Sequence, residues 1–309
     1  MRATLEACRT EAAAAFGDAV RFDEPMSPHT SYRIGGPADL FVRASSVALL
    51  QAALAFAARY ELPLFVIGLG SNLLVPDEGL RGLVVRVEIA TVRADGTALI
   101  VGAGLPLAAA ARAAHEHALA GLEFGVGIPG TVGGALVMNA GCRGSEIGPL
   151  VERVEVVERN GTRRTIDREA CAFGYRSSNL RDLAAAITEA TLRLRPGEPA
   201  AIEQRMEAHR SWRAGAQPLG RPNAGSVFKN PPGDAAGRLI EAAGCKGLSV
   251  GAAEVSTMHA NVIVNHGGAT YADVRALIDT VRARVEAQFG VRLELELIDL
   301  GTLEEGTRP

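Results

Sequence analysis

Apolar residues recur along this chain with two periods that alternate from one end to the other. Val47, Leu50, Leu54 and Ala58 stand on helical spacing and predict a helix over 46–60. The same reading places helices over 4–16, 105–117, 200–212, 235–243 and 271–289, with a short helical run at 168–172. Pro63-Leu64-Phe65-Val66-Ile67 is a continuous apolar run of strand length, and further strands are expected over 83–87, 98–101, 185–194, 262–264 and 291–298. Residues 151–158 alternate, Asn160-Gly161 is a two-residue hairpin signal, and 162–166 returns the chain. Pro25 and Pro28 mark an extended entry into Ser31-Tyr32-Arg33-Ile34-Gly35-Gly36-Pro37. The alternation implies an α+β or α/β protein, with a boundary at Arg195-Pro196-Gly197-Glu198-Pro199. No internal repeat interrupts it.

Composition narrows the class. With 309 residues, 48% hydrophobic and 22% charged, the chain is an ordinary globular one of two or three domains. A net charge of −3 without a basic run gives no footprint for nucleic acid. No apolar run has the roughly 18 residues that span a bilayer. The N-terminus carries acids too early for a secretory signal, so a cytoplasmic location is expected. Cys8, Cys142, Cys171 and Cys245 fit neither a zinc spacing nor a redox pair and are expected as reduced thiols; no metal is expected. Cys142 follows a glycine loop and reads as a small buried filler.

That loop is the most unusual feature of the chain. Gly127-Ile128-Pro129-Gly130-Thr131-Val132-Gly133-Gly134 is dense in glycine and free of charge, and Gly68-Leu69-Gly70-Ser71-Asn72-Leu73 has the same character. Glycine admits positive φ and puts no Cβ between main-chain N–H groups and a ligand. Successive N–H groups of this kind form an anion-binding concavity. Each loop alone reads as a turn; two together point to a pyrophosphate held between them. Gly125-Val126-Gly127-Ile128-Pro129-Gly130 fits G-x-G-x-x-G literally, but it follows a helix, and Pro129 lacks an N–H, so a Rossmann fingerprint is rejected.

Three other clusters carry polar chemistry. Ala224-Gly225-Ser226-Val227-Phe228-Lys229-Asn230-Pro231 sets a hydroxyl beside an ammonium and an amide, without the spacing of a nucleophile elbow. Such a serine would bind ligand or donate a proton rather than attack a carbonyl. Phe173-Gly174-Tyr175-Arg176 offers a guanidinium fork suited to a carboxylate or phosphate, although a solvated arginine is the plainer reading. Leu293-Glu294-Leu295-Glu296-Leu297 puts both glutamates on one face of a strand, and spacing does not choose between them.

In this order, these constellations resemble the UDP-N-acetylenolpyruvoylglucosamine reductase family, the flavoenzymes that complete UDP-N-acetylmuramic acid in bacterial wall synthesis. The resemblance runs from His29-Thr30-Ser31-Tyr32-Arg33-Ile34-Gly35-Gly36-Pro37 to Glu296, and the short stretch between Arg176 and Ser226 is similar to the shorter of the two family types. It implies an α+β fold: a two-lobed FAD-binding fold of the PCMH or vanillyl-alcohol-oxidase type, plus an α+β substrate-binding domain. The implied lobes are 1–89, to which a strand at 290–304 returns, and 90–197; the substrate domain is 198–289. Non-covalent FAD would be held by Gly68, Gly70, Ser71, Asn72, Gly127, Ile128, Pro129, Gly130, Thr131 and Gly133.

The implied reaction has two halves. NADPH reduces the flavin, and the enolpyruvyl ether of UDP-N-acetylglucosamine enolpyruvate then takes hydride from flavin N5 at its vinyl carbon and a proton at the adjacent carbon. Carried over by motif, Ser226 donates that proton, while Arg176 and Glu296 stabilise the enolate. Tyr175, Lys229, Asn230 and His259 would touch the substrate, with the protein acting as a monomer. An ionised Glu296 would repel an enolate, so a protonated Glu296 is expected. Asn223 and Met258 depart from the family pattern. Two other readings compete: an oxidase of the same fold using oxygen, and a nucleotide-sugar binder without catalysis.

Overall fold

The computed structural model describes residues 2–302, with side chains from Cys8 onward; Met1 of the expected first lobe and residues 303 and 304 of the expected terminal strand lie outside the description. A first sheet runs in the order Val20–Pro25, Pro37–Ala44, Leu80–Val87, Leu64–Ile67. Its first pair is antiparallel and the others parallel. Leu40, Val42, Leu83 and Val85 cover one face together with Leu50 and Leu54 of the helix Val47–Arg59. Phe41, Phe65, Ile67 and Val84 cover the other, against Met26, Val75, Met138 and Ile298.

Two strands of this sheet, Val20–Pro25 and Pro37–Ala44, were not expected from the pattern. Asp39 explains the second: a charged residue inside a strand breaks the apolar reading. Here its carboxylate is buried and accepts from the Gly82 N–H at 3.0 Å and the Arg81 guanidinium at 2.7 Å. A buried carboxylate satisfied in this way is compatible with a central strand.

The second sheet is wholly antiparallel, ordered Arg163–Asp167, Val151–Glu158, Ala185–Arg193, Ala98–Gly102, Val92–Asp95. The expected Asn160-Gly161 turn joins its first hairpin, with the Asn160 side chain accepting from the Thr162 N–H at 2.8 Å. A separate core holds the helices Ala236–Ala242 and Tyr271–Phe289 against a small sheet of Ser249–Val250, Ala253–Val255 and Ile263–Asn265. The long helix starts at a Thr270/Asp273 capping box and ends at left-handed Gly290. The helix Pro199–Ala216 packs Ile202 and Met206 on Ala120. Among the described residues no helix is long and apolar enough to cross a membrane.

The strand expected over 291–298 does not form as such. Its backbone bonds instead to the loop at 227–229: the N–H groups of Glu296 and Leu297 both donate to the Val227 carbonyl, and Lys229 N–H donates to the Glu294 carbonyl. One shared carbonyl breaks the regular ladder. A two-residue strand follows, Ile298–Asp299, parallel to Leu73–Leu74 of the first lobe. The two glutamates are consequently unlike. The Glu294 side chain is 77% exposed, whereas that of Glu296 is 18% exposed.

Candidate active site

The two glycine loops meet. A Cβ added at Gly68 would stand 2.4 Å from the Thr131 hydroxyl, and one at Gly130, where φ is +115°, 2.8 Å from the Ser71 hydroxyl. Gly70, at φ +62°, runs against the His29 carbonyl, which a Cβ would approach to 2.1 Å. Closeness of backbone to backbone is what these glycines permit. Thr131 caps the short helix Val132–Val137 by accepting from the Gly134 N–H at 3.3 Å, and Gly133 N–H is taken by the Ala103 carbonyl. The N–H groups of residues 69–72, 130 and 131 donate to no acceptor among the described residues.

Between the loops lies a cavity of about 330 Å³. Its walls include residues 68–73 and 128–131, Gly133, Arg176, Ser226 and Glu296. Unpaired main-chain donors on glycines whose Cβ positions are blocked fit the pyrophosphate of FAD, and the apolar remainder fits a flat ring system. Gly127 lies beside this lining, its carbonyl accepting from Arg213. Cys142, expected as a filler, is half-buried and lines the cavity, 3.8 Å from His209 Nδ1.

Arg176, Ser226 and Glu296 reach this cavity from three distant parts of the chain. Arg176 sits at φ +52° in a tight reversal closed by the Gly174–Ser177 bridge. Its Nε donates to Glu296 Oε1 at 2.9 Å and a terminal nitrogen donates to the Gly141 carbonyl at 2.9 Å. Glu296 is fixed by its own N–H on Val227 and by Asn72 Nδ2, which donates to its carbonyl at 2.9 Å. The bond to Val227 also brings Ser226 alongside, and left-handed Gly225 turns the chain there. Burial pushes the Glu296 carboxyl above its usual range, against the opposing pull of Arg176 and then Lys229.

Tyr175, Lys229, Asn230 and His259 do not line the cavity. Tyr175 is exposed, and its hydroxyl accepts from the Asn230 N–H at 3.3 Å. The Asn230 side chain accepts from Ala236 N–H at the start of a helix. Lys229 Nζ is 3.6 Å from Glu294 Oε2. His259 Nδ1 accepts from the Asn261 N–H, and burial lowers its pKa.

One positioning residue was missed in the sequence. Asn139, buried and at φ +43°, donates to the Gly174 carbonyl and to Glu146 Oε2, both at 2.8 Å, and accepts from Gly148 N–H at 2.9 Å. It ties the Arg176 reversal to the hairpin at 141–146. The available signal in the sequence was an asparagine, a residue suited to positive φ, two positions before Gly141.

Comparison with known proteins agrees with this geometry. Residues 217–298 match the family described as UDP-N-acetylenolpyruvoylglucosamine reductase, C-terminal domain, and residues 38–167 match an FAD binding domain. The chain is 48% identical over 280 residues to UDP-N-acetylenolpyruvoylglucosamine reductase 2 of Symbiobacterium thermophilum, covering 90% of this chain and 91% of that one. It is 50% identical over 276 residues to the UDP-N-acetylenolpyruvoylglucosamine reductase of Moorella thermoacetica, covering 89% and 91%. The crystal structure of UDP-N-acetylenolpyruvylglucosamine reductase from Thermus caldophilus superposes with a TM-score of 0.78 at 38% identity, covering 91% of this chain and 97% of that one. The fold is thus the expected α+β, FAD-binding PCMH type. The chain belongs to the UDP-N-acetylenolpyruvoylglucosamine reductase family and is an FAD-dependent oxidoreductase.

Proposed function

We propose that this protein reduces the enolpyruvyl ether of UDP-N-acetylglucosamine enolpyruvate to UDP-N-acetylmuramate for peptidoglycan, with NADPH as the source of electrons. The observation that carries the reading is the Arg176–Glu296 pair on the wall of the same cavity as Ser226 and both glycine loops. On this reading 1–89 and 90–197 hold FAD and 198–289 hold the nucleotide sugar; the core around Leu277 and Ile278 is built mainly from that last stretch, with Tyr32, Ile34 and Leu74 of the first lobe packed into it.

When bound, FAD supplies hydride to the terminal vinyl carbon of the substrate. Negative charge then builds on the adjacent carbon and spreads into the substrate carboxylate. Arg176, fixed by Gly141 and Glu296, meets that charge without reorganising, which is the main source of acceleration in such sites. Burial raises the Glu296 carboxyl pKa, and a substrate carboxylate beside it would raise it further. Protonated in the reduced complex, Glu296 donates a hydrogen bond to the enolate rather than repelling it. Ser226 Oγ, which has no hydrogen-bond partner among the described residues, delivers the proton to the carbanionic carbon, and Lys229 lowers the cost of the resulting alkoxide. Tyr175, Asn230 and His259 border the sugar nucleotide.

Anaerobic mixing tests this directly. NADPH bleaches the flavin absorbance, and the enolpyruvyl substrate restores it. Recovery with oxygen coupled to turnover of an alcohol or amine, and none with the enolpyruvyl substrate, would identify an oxidase, and failure to bleach would reject the reading.

A further inference from the structure

Two arginines and the single tryptophan at one edge of the cavity have no part in the scheme above. Trp212 lines the cavity, yet 44% of its surface is exposed. An indole left open beside a binding cavity is a surface to be covered. The Arg143 guanidinium lies over its ring, 5.9 Å from the centroid. Arg143 and Gly144 form the two-residue turn between Gly141–Cys142 and Ser145–Glu146, with φ of +52° and +80°. Those are the angles of a type I′ turn, whose first central position favours asparagine, aspartate or glycine over arginine.

Arg213, adjacent to Trp212, lines the same cavity and donates to the Gly127 carbonyl. A guanidinium carries five N–H donors, and one carbonyl uses few of them. Its place in the last turn of the helix Pro199–Ala216 accounts for a cation there, but not for Arg143 on a separate hairpin. No carboxylate among the described residues pairs with either arginine, and burial works against the Arg213 charge. A half-buried cation without a counterion, as Arg213 is, favours an anionic ligand. Guanidinium forks suit phosphate oxygens, and an open indole suits a flat base.

We propose that Arg143, Trp212 and Arg213 form the recognition element for a phosphorylated nucleotide entering the cavity, its phosphate between the two guanidinia and its base on the indole. The inference rests on the reductase reading, whose two exchangeable ligands, NADPH and the uridine diphosphate sugar, share this chemistry.

Calorimetric titration of the FAD-loaded protein with NADP+ and, separately, with UDP tests it. Arg143→Gln, on an exposed turn, and Trp212→Ala should each weaken nucleotide binding about tenfold, while Trp212→Phe stays within about threefold of the parent. Weakening confined to NADP+ assigns the element to the pyridine nucleotide; weakening confined to UDP assigns it to the sugar nucleotide; weakening of both assigns it to their common diphosphate. Unchanged affinity for both nucleotides in Arg143→Gln and Trp212→Ala overturns the proposal. Flavin bleaching by NADPH in the same preparations separates the two failures. A parent protein that never bleaches rejects the reductase reading, whereas normal bleaching with unchanged affinities rejects this element alone.

Discussion

Arg176 Nε and Glu296 Oε1 stand 2.9 Å apart although 120 residues separate them in the chain. Neither side chain is more than a fifth exposed. Such a half-buried pair is weak evidence of stability, since desolvation offsets much of the attraction. Its placement on the cavity wall beside Ser226 gives it a chemical use instead.

Arg176→Met should slow reoxidation of the reduced flavin by substrate about a hundredfold or more, the cost of removing one donor to a developing oxyanion. Reduction of the flavin by NADPH should change by less than about threefold. Stopped-flow absorbance separates the two rates, and equal losses in both would contradict the assigned role.

Glu296→Gln distinguishes a neutral donor from a charged one. The amide keeps an acceptor for Arg176 and a donor for the enolate, so reoxidation should stay within about tenfold of the parent, whereas Glu296→Ala loses about a hundredfold or more. Any alkaline limb due to Glu296 ionisation should vanish in the Gln variant. Equal losses in Gln and Ala, read from the pH profile of reoxidation, would sink the neutral-donor assignment.

Stability against pH follows from the same carboxyl. Its folded pKa lies above its unfolded one, so between the two values the folded state holds more protons, and stability falls as pH rises through that window. Glu296→Gln should therefore melt above the parent at pH 8, with the difference shrinking to nothing below the unfolded carboxyl pKa of roughly 4.3. Scanning calorimetry at several pH values reads this; a parent that melts higher at pH 8 would contradict it.

Glycine substitutions should divide by what a Cβ meets. Gly70→Ala combines a positive φ with a 2.1 Å clash against the His29 carbonyl and should abolish FAD retention or folding. Gly225→Ala has φ +73° but nothing within 4 Å, so it should cost only about 1–2 kcal/mol, the left-handed penalty of a residue with a Cβ. FAD content after gel filtration and melting temperature together measure both.

Asn139→Leu strips the partner from the buried Gly148 N–H and leaves the Gly174 carbonyl with the Ser177 N–H alone. A buried group left unpaired costs about 1–3 kcal/mol, so a destabilisation of that order is expected by urea titration. Because Gly174 begins the Arg176 reversal, reoxidation should slow more than flavin reduction. Loss of both in proportion to folded protein would mark Asn139 as structural alone.

What could be read from the linear chain was whatever depends on near neighbours. The helices Val47–Arg59 and Tyr271–Phe289 follow from apolar spacing, the Asn160-Gly161 hairpin from turn chemistry, and the loops at Gly68 and Gly127 from missing Cβ atoms and free N–H groups. Side-chain environment was beyond that reach. Period two made Glu294 and Glu296 equivalent, and only packing against Val227, Asn72 and Arg176 buries one while leaving the other in solvent. Asp39 hid a central strand because its partner N–H lies 43 residues away. Asn139 and the Arg143, Trp212 and Arg213 edge likewise combine residues from separate elements. Periodicity and φ are set within a few residues, but burial, charge pairing and the meeting of donors are set by which distant segments touch. That is a property of the folded chain as a whole.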